Sequence, residues 1–129
     1  MGLAAIVRSA VSIANSVTAD LQVNVTHEPW TGADGQSKPT YGTAQTVPAI
    51  VVDDQRGFRD AIGEVVQSHT RISFLRPVPV SGTAGRREPI DPRDRLTTPD
   101  GVTGKIVGIG GMVDSGTGRP FYSEVWLSE

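Results

Sequence analysis

The sequence contains no cysteine, so a disulfide framework, a thiolate nucleophile and a cysteine-ligated zinc site are all excluded. Aromatic residues make up only 5% of the chain, which is few for a surface that binds nucleic acid by base stacking. The net charge is also small, since 12 basic residues face 14 acidic ones. That balance argues against binding to DNA or to a membrane by bulk charge.

The opening stretch, MGLAAIVRSAVSIANSV, does not have the pattern of a targeting segment. Arg8 interrupts it, and it lacks the basic start and continuous apolar core of a secretory signal. It is also too short and too polar to cross a bilayer. A chain of 129 residues has the length of one domain and buries a core without metals or disulfides. We therefore expect residues 1–129 to form a single domain with no membrane partner.

Residues 2–19 are predicted to form an amphipathic helix that precedes a β-domain in residues 20–128. Apolar residues recur there at three- and four-residue steps. They are Leu3, Ile6, Val7, Ala10, Ile13, Ala14 and Val17. A single terminal helix must bury such an apolar stripe against another surface. Two surfaces are possible: its own sheet, or a neighbouring subunit.

The β-domain shows the alternation and turn signals of short strands. Strands are predicted over Leu21–Thr26, Tyr41–Val52 and Glu64–Leu75. Pro48 within the second favours an edge strand or a bulge. About five short strands without intervening helices favour an all-β fold over βαβ units. The predicted fold class is therefore mainly β, a small antiparallel β-barrel or sandwich with an N-terminal α-helix and long loops.

The last third of the chain, Asp91–Leu127, predicts a long hairpin that closes this sheet. An apolar, β-branched run follows a Pro-Asp-Gly turn, and the alternating segment Phe121–Leu127 forms the returning strand. The connection between them, Asp114–Pro120, is polar and glycine-rich and is predicted to be a loop. We expect four side chains of this hairpin to be largely buried: Ile106, Ile109, Val125 and Leu127.

No residue pattern predicts catalysis, a cofactor or a metal. His27 and His69 have no metal-ligand spacing, and ordinary strand or surface histidines are the favoured interpretation. No serine lies in a Gly-x-Ser-x-Gly elbow. Gly101–Ile106 lacks the spacer of a phosphate loop, and in Gly108–Gly111 the third glycine is misplaced for a dinucleotide fingerprint. These glycines are interpreted as bulge and bend positions in a curved sheet, and the chain is expected not to be an enzyme.

Two long polar connections are the candidate sites for contact with partners. Asp53–Gly63 is longer than a tight hairpin needs and carries charges that can pair across a subunit interface or face a water-filled channel. It is expected to contain at most one helical turn, and an ordinary surface loop is the alternative. Its candidate residues are Asp53, Asp54, Arg56, Phe58, Arg59 and Asp60. Thr31–Thr40 is the rival connection, with Trp30, Asp34 and Lys38 as its candidates.

The order of these segments along the chain is a pattern in itself. The β-pair VNVTHEPWTGADGQSKPTYGTAQTVPAIVVDD precedes the charged loop DDQRGFRDAIG and the strand EVVQSHTRISF. The segment DPRDRLTTPDGVTGKIVGIGG and a final strand, SEVWL, complete it. Over about residues 20–128 this order resembles the head-to-tail stopper, or head-closure, proteins of tailed bacteriophages. In that family a segment similar to Asp91–Gly110 follows the mid-chain loop.

The resemblance implies a small β-barrel with a structural role in the virion neck, assembled in the host cytoplasm. It implies four partners: copies of the chain in a closed ring of six or twelve, a portal or adaptor protein above, a tail terminator or tail tube below, and packaged double-stranded DNA in the channel. A loop near Asp53–Gly63 would close that channel. The alternatives are a tail terminator or another neck protein, and a small ligand- or oligonucleotide-binding barrel.

Overall fold

The computed structural model describes residues 3–59, 62–75, 78–80, 86, 89–113 and 120–128. Within them the helical elements are α1 (Leu3–Val17) and a 3₁₀ turn (Ala19–Leu21). The strands of the same residues are β1 (Val23–Glu28), β2 (Trp30–Ala33), β3 (Pro39–Tyr41), β4 (Gln45–Asp53), β5 (Gly57–Arg59), β6 (Val65–Gln67), β7 (Thr70–Phe74), β8 (Arg95–Thr97), β9 (Lys105–Val113) and β10 (Pro120–Ser128). The predicted mainly-β fold with an N-terminal helix is confirmed.

Six of the described strands form one antiparallel sheet in the order β8-β1-β4-β7-β10-β9, curled into a half-barrel. β4 joins its two halves because it changes partner along its length: residues 45–49 pair with β1 and residues 50–53 pair with β7. Pro48 therefore lies in a strand that is internal in the sheet order but has only β1 as a described neighbour at that position. On the side without a neighbour, the absent amide hydrogen of proline breaks no ladder hydrogen bond.

The core is built from alternate residues of the sheet strands. In β7, Thr70, Ile72 and Phe74 are buried while the residues between them are half-buried. Around them lie buried apolar side chains from both halves of the sheet and from the connections: Val25, Val47, Ala49, Val78, Ile90, Leu96, Ile106, Val125 and Leu127.

The terminal hairpin of β9 and β10 forms as predicted, with one correction to its burial. Ile106, Val125 and Leu127 are buried, but Ile109 is 42% exposed. Ile109 pairs with the buried Val125, yet β9 is the edge of the sheet, so its side chain has a strand neighbour on one side only. The predicted loop falls largely on residues 114–119, which lie outside the described residues, and Pro120 already belongs to β10.

Helix α1 presents two apolar stripes. The first is half-buried, and α1 contacts β10 of its own sheet. Its members are Ala4, Val7, Val11 and Ala14. The second stripe is exposed to solvent: Leu3 is 76%, Ile6 55%, Ile13 64% and Val17 77% exposed. The sheet therefore covers only part of the apolar surface that the sequence predicted for this helix. No helix in the described part of the chain is long and apolar enough to cross a membrane.

Candidate functional site

In the described part of the first candidate connection, residues 53–59 and 62–63, residues 57–59 form one strand of a small β-hairpin. β5 pairs with β6 in antiparallel register, with Phe58 opposite Val66. The predicted strand Glu64–Leu75 is accordingly two strands, β6 and β7, which belong to different sheets. Residues 57–59 do not form the helical turn that the sequence allowed, because they pair with β6, a strand that the sequence pattern did not distinguish from β7.

Ser68 forms the corner between the hairpin and the main sheet. Its side chain is buried, and its hydroxyl donates to the Asp54 carbonyl at 2.6 Å and accepts from the Arg56 amide at 3.0 Å. Its own amide donates to the Arg56 carbonyl at 2.9 Å. One small buried side chain therefore satisfies several backbone groups where the chain leaves β4 and enters β7, as buried backbone polar groups require.

Phe58 packs onto the buried Trp126 of β10, with ring centroids 5.4 Å apart and ring planes tilted by 52°. The tilted arrangement is one that aromatic pairs favour. Gly108 makes the approach possible, because a Cβ at that position would lie 2.4 Å from a Phe58 ring carbon. Gly108 is also the cross-strand partner of Trp126, so the glycine and the two rings form one contact.

Two charged candidates complete this contact. The Trp126 indole Nε1 donates to Asp54 Oδ2 at 3.2 Å, and Arg71 pairs with the same oxygen at 3.5 Å. The Arg56 guanidinium lies 5.1 Å from the centroid of the Trp126 ring, within cation–π range. Three of the six candidates, Asp54, Arg56 and Phe58, thus converge on Trp126. We call Asp54, Arg56, Phe58 and Trp126 the tryptophan anchor.

The other candidates of this connection lie away from the anchor. Arg59 donates to the Gly63 carbonyl at 3.1 Å across the end of the hairpin, where Gly63 adopts a φ of 85°. Two large apolar side chains project from the same end, since Ile62 is 79% and Val65 67% exposed. Asp53 is exposed at the end of β4, and Asp60 lies outside the described residues. We call Ile62 and Val65 the apolar tip.

The second candidate connection, Thr31–Thr40, is also a hairpin, formed by β2 and β3 with Trp30 opposite Tyr41. Asp34 closes its turn: the carboxylate Oδ1 accepts from the Gln36 amide at 2.8 Å and from the Lys38 amide at 3.0 Å. The backbone of Asp34 and Lys38 adds a further hydrogen bond of 2.9 Å. Asp34 therefore has a local structural role, that of an aspartate in an Asx-turn.

Arginine–aromatic contacts fasten this hairpin to the segment before β8. The Arg93 guanidinium lies 3.7 Å from the Trp30 ring centroid, and that of Arg95 lies 4.3 Å from the Tyr41 centroid. Each guanidinium is also held by a carboxylate, Arg93 by Asp91 at 2.9 Å and Arg95 by Glu28 at 2.7 Å. Both pairs are partly solvent-exposed, so their stabilising contribution is modest.

Asp94 is the buried centre of the same attachment. Its side chain is fully buried and accepts hydrogen bonds from the His27 ring at 2.7 Å, the Trp30 amide at 2.8 Å and the Asp91 amide at 2.9 Å. The Arg86 guanidinium donates a hydrogen bond to each of the two Asp94 carboxylate oxygens. Burial alone would raise the pKa of Asp94, but the hydrogen bonds from His27, Arg86 and the two amides outweigh it and hold the pKa far below its usual range.

His27 is a strand histidine, one of the two settings that the sequence suggested, but it is buried and paired rather than at the surface. It is fully buried, and Nε2 faces Asp94 while Nδ1 lies 2.8 Å from the Gln45 amide nitrogen. Gln45 also donates to the Pro79 carbonyl at 3.0 Å, so these contacts fit a ring that donates through Nε2 and accepts through Nδ1. Neither ring nitrogen faces a nucleophile, and the buried pair serves to hold β1, β4 and the segment before β8 together.

Comparison with protein-family models and with curated proteins finds no match for this chain. A function for the chain is therefore inferred from the arrangement of its two hairpins. Within the described ranges, no three histidine, aspartate or glutamate side chains lie together in a way that could hold a metal ion.

The sequence analysis missed Trp126, Asp94 and His27 as organising residues. The sequence did contain a signal for Trp126, namely the glycines at 108 and 110, which lie opposite the Trp126 region of β10. A Cβ at Gly110 would lie 3.3 Å from the Trp126 ring. These two glycines make room for aromatic rings and are not simply bend positions. Gly101, with a φ of 85°, and Gly111, with a φ of 146°, fit the expected bend positions, and Gly108 also stands beside a register irregularity of the β9–β10 pairing.

Proposed function

We propose that this chain is a structural, non-enzymatic subunit of the neck of a tailed bacteriophage. In this role it is a head-to-tail stopper, which closes the portal channel after DNA packaging and then joins the tail. Its partners are further copies of itself in a ring, the portal or adaptor above, the tail terminator or tail tube below, and the packaged DNA. Its location is the virion.

The observation that carries the proposal is the β5–β6 hairpin, which combines a fixed base with an exposed apolar tip. The tryptophan anchor and the Ser68 corner hold the base against β10 and β4. Ile62 and Val65 at the tip make no contribution to the buried core. A hairpin with an anchored base and apolar side chains exposed at its end is suited to meet other copies or a partner surface, as loops held by a scaffold commonly do.

The segment that carries the resemblance, Asp91–Gly110, supports the proposal from a second direction. Its first part supplies the groups that fasten the β2–β3 hairpin, with Arg93 on Trp30 and Arg95 on Tyr41. Its last part supplies Gly108, which receives Phe58 of the other hairpin. The segment therefore positions both candidate connections, which gives a physical reason for its residue types at these places.

The test is to remove the apolar tip while leaving its anchor intact, with Ile62→Ser and Val65→Ser in one variant. Heads assembled with this variant are expected to dock it but to lose packaged DNA or fail to join tails, measured as DNA retention and as the fraction of tailed particles. The matched control is Gln36→Ser with Lys38→Ser at the end of the β2–β3 hairpin. Normal DNA retention and tail joining in the tip variant, or equal losses in both variants, would contradict the proposal.

The oligonucleotide-binding alternative rests on a cleft of about 490 Å³ that is lined by Trp30, Tyr41, Arg93, Arg95 and Lys105, among others. Aromatic and basic side chains together are typical of single-strand binding sites. Here, however, one face of each ring is covered by an arginine, and both arginines are already paired with Asp91 and Glu28. A titration with labelled single-stranded DNA at low salt distinguishes the neck function from oligonucleotide binding. Tight, salt-dependent binding would favour oligonucleotide binding.

A further inference from the structure

We infer that the β5–β6 hairpin is a hinged flap, which is closed over Trp126 in this structure and opens as a unit while the main sheet stays folded. We call strands β5 and β6 together the flap. Its hinge is a β-bulge at Gln55, and its latch is Phe58, which is seated against Trp126 and Gly108. The inference rests on the geometry of the hairpin and does not depend on the proposed neck function.

The hinge follows from the register of the strands. β4 and β7 pair as far as Asp53 opposite Thr70, and β5 and β6 pair from Gly57 opposite Gln67. Three residues therefore lie between these pairings on the first strand, but only two on the second. The two strand pairs are accordingly one long hairpin that a β-bulge interrupts. Bulges bend the strand that carries them, and this one turns the flap toward β10.

Hydrogen bonds on both sides identify Gln55 as the extra residue. The Asp54 amide donates to the His69 carbonyl at 3.3 Å, and the Ser68 amide donates to the Arg56 carbonyl at 2.9 Å, so Gln55 lies between the two bonds. The His69 amide also donates to a carbonyl of β10 at 2.8 Å. The chain is therefore fastened to the main sheet as far as His69, and the flap leaves the sheet at Ser68.

Few contacts hold the flap in its closed position. None of the six residues of β5 and β6 is buried, and their ladder is a sheet of its own. A swing about the bulge therefore breaks no ladder bond of the six-stranded sheet. It separates Phe58 and Arg56 from the Trp126 ring, whereas Asp54, which bonds to the same indole, lies on the sheet side of the bulge. Elements with so few buried contacts open at a lower free energy than the whole fold.

The two positions of the flap differ in the exposure of Trp126. This side chain lies on the face of β10 opposite to Val125, yet it is only 5% exposed because Phe58 covers it. Opening uncovers the indole ring and moves the apolar tip, which the flap carries. Minor states of two-state elements are populated at about 0.1–10%, and we expect the open flap on the order of 1%. The position of the tip is thus set by whether Phe58 is seated.

Deletion of Gln55 is the first test, because it removes the bulge and leaves both registers continuous. The chain has two tryptophans, so 5-fluorotryptophan labelling gives one fluorine NMR signal for each. The deletion is expected to move the Trp126 signal to a solvent-exposed shift and to leave the Trp30 signal unchanged. The matched control, Gln55→Ala, keeps the bulge and should resemble the wild type. A Trp126 that stays covered in the deletion variant, or equal exposure in the control, would overturn the inference.

Relaxation dispersion of the wild type tests the opening itself, since it reports exchange on the microsecond to millisecond scale. The Trp126 signal is expected to exchange with a minor state at the shift of the Phe58→Ala variant, which lacks the latch. Trp30 should show no such exchange. A flat profile at Trp126, or a minor state at the shift of the urea-unfolded chain, would refute the flap. Because this measurement needs no deletion, it stands even where the Gln55 variant fails to fold.

Discussion

The two small hairpins that flank the half-barrel are attached by different physics and end in different chemistry. The β5–β6 hairpin is held mainly by ring contact, with Phe58 against Trp126. The β2–β3 hairpin is held by arginine–aromatic contacts and by a buried carboxylate, Asp94, that receives hydrogen bonds from four directions. The same contrast holds at their ends, because the first exposes apolar side chains while the turn of the second is closed by Asp34.

This difference indicates how the two hairpins divide their tasks. The turn of β2–β3 satisfies its own backbone, so it needs no partner to be stable. At the tip of β5–β6 the side chains of Ile62 and Val65 are mostly exposed, so they add little to the buried core. The β5–β6 hairpin, with its anchored base and exposed apolar tip, is therefore the one whose end we propose for intermolecular contact.

The largest expected effect comes from breaking the buried attachment of β2–β3. Asp94→Asn leaves Arg86 buried without its carboxylate and is expected to cost about 3–5 kcal/mol of unfolding free energy in urea titrations. Asp91→Asn, at a more exposed pair with Arg93, is the control and should cost less than about 1 kcal/mol. Equal losses in the two variants would show that Asp94 is not the centre of this attachment.

Low pH is expected to weaken the same Asp94-centred attachment of β2–β3. Because the pKa of Asp94 is lowered in the folded state, the unfolded chain binds the extra proton first as pH falls. The stabilisation from Asp94 is therefore complete above the ordinary aspartate pKa, about 3.9, and declines as pH drops below it. Hydrogen exchange should show β2–β3 opening before β5–β6 as pH falls below about 4. The Asp94→Asn variant should show a flatter stability profile, and an unchanged slope would argue against this linkage.

An intermediate effect is expected from Gly108→Ala, which places a methyl group where the Phe58 ring lies. Overpacking of this kind costs typically about 1–3 kcal/mol, and here it should loosen β5–β6 selectively in hydrogen exchange. Gly35→Ala in the β2–β3 turn is the control, since an added Cβ there has nothing within 4 Å. Phe58→Leu should recover part of the loss in the Gly108→Ala background, and strict additivity of the two changes would contradict direct contact.

The smallest effect on stability is expected at the apolar tip. Ile62→Ser with Val65→Ser should change the unfolding free energy by no more than about 0.5 kcal/mol, because neither side chain is buried. Thermal and urea unfolding measure this directly. A loss above about 2 kcal/mol would mean that the tip supports the fold, and the comparison between the hairpins would then lose its basis.

Alternation in the sequence was enough to predict the strands that have one buried face, such as β7, and the helical spacing was enough to predict α1. It did not predict β5, because three residues with a single aromatic carry no period. The contacts that attach the two hairpins could not be predicted from local pattern for a different reason. His27 and Asp94 are 67 positions apart in the sequence, and Trp126 and Asp54 are 72 apart. Which distant side chains meet depends on the register of the sheet, and local pattern does not contain that register.

The change of partner within β4 has a consequence for the order of folding. Pairings within β9–β10 join residues such as Ile109 and Val125, whereas β1 reaches β8 by joining Thr26 to Thr97, across far more chain. Closing the longer loop costs more chain entropy, so it benefits from elements already in place. β4 can pair with β7 through residues 50–53 and still offer residues 45–49 to β1. The short-range pairings β1–β4, β4–β7 and β9–β10 are therefore expected to form first, and the long-range pairings β7–β10 and β1–β8, with the Asp94 attachment, later.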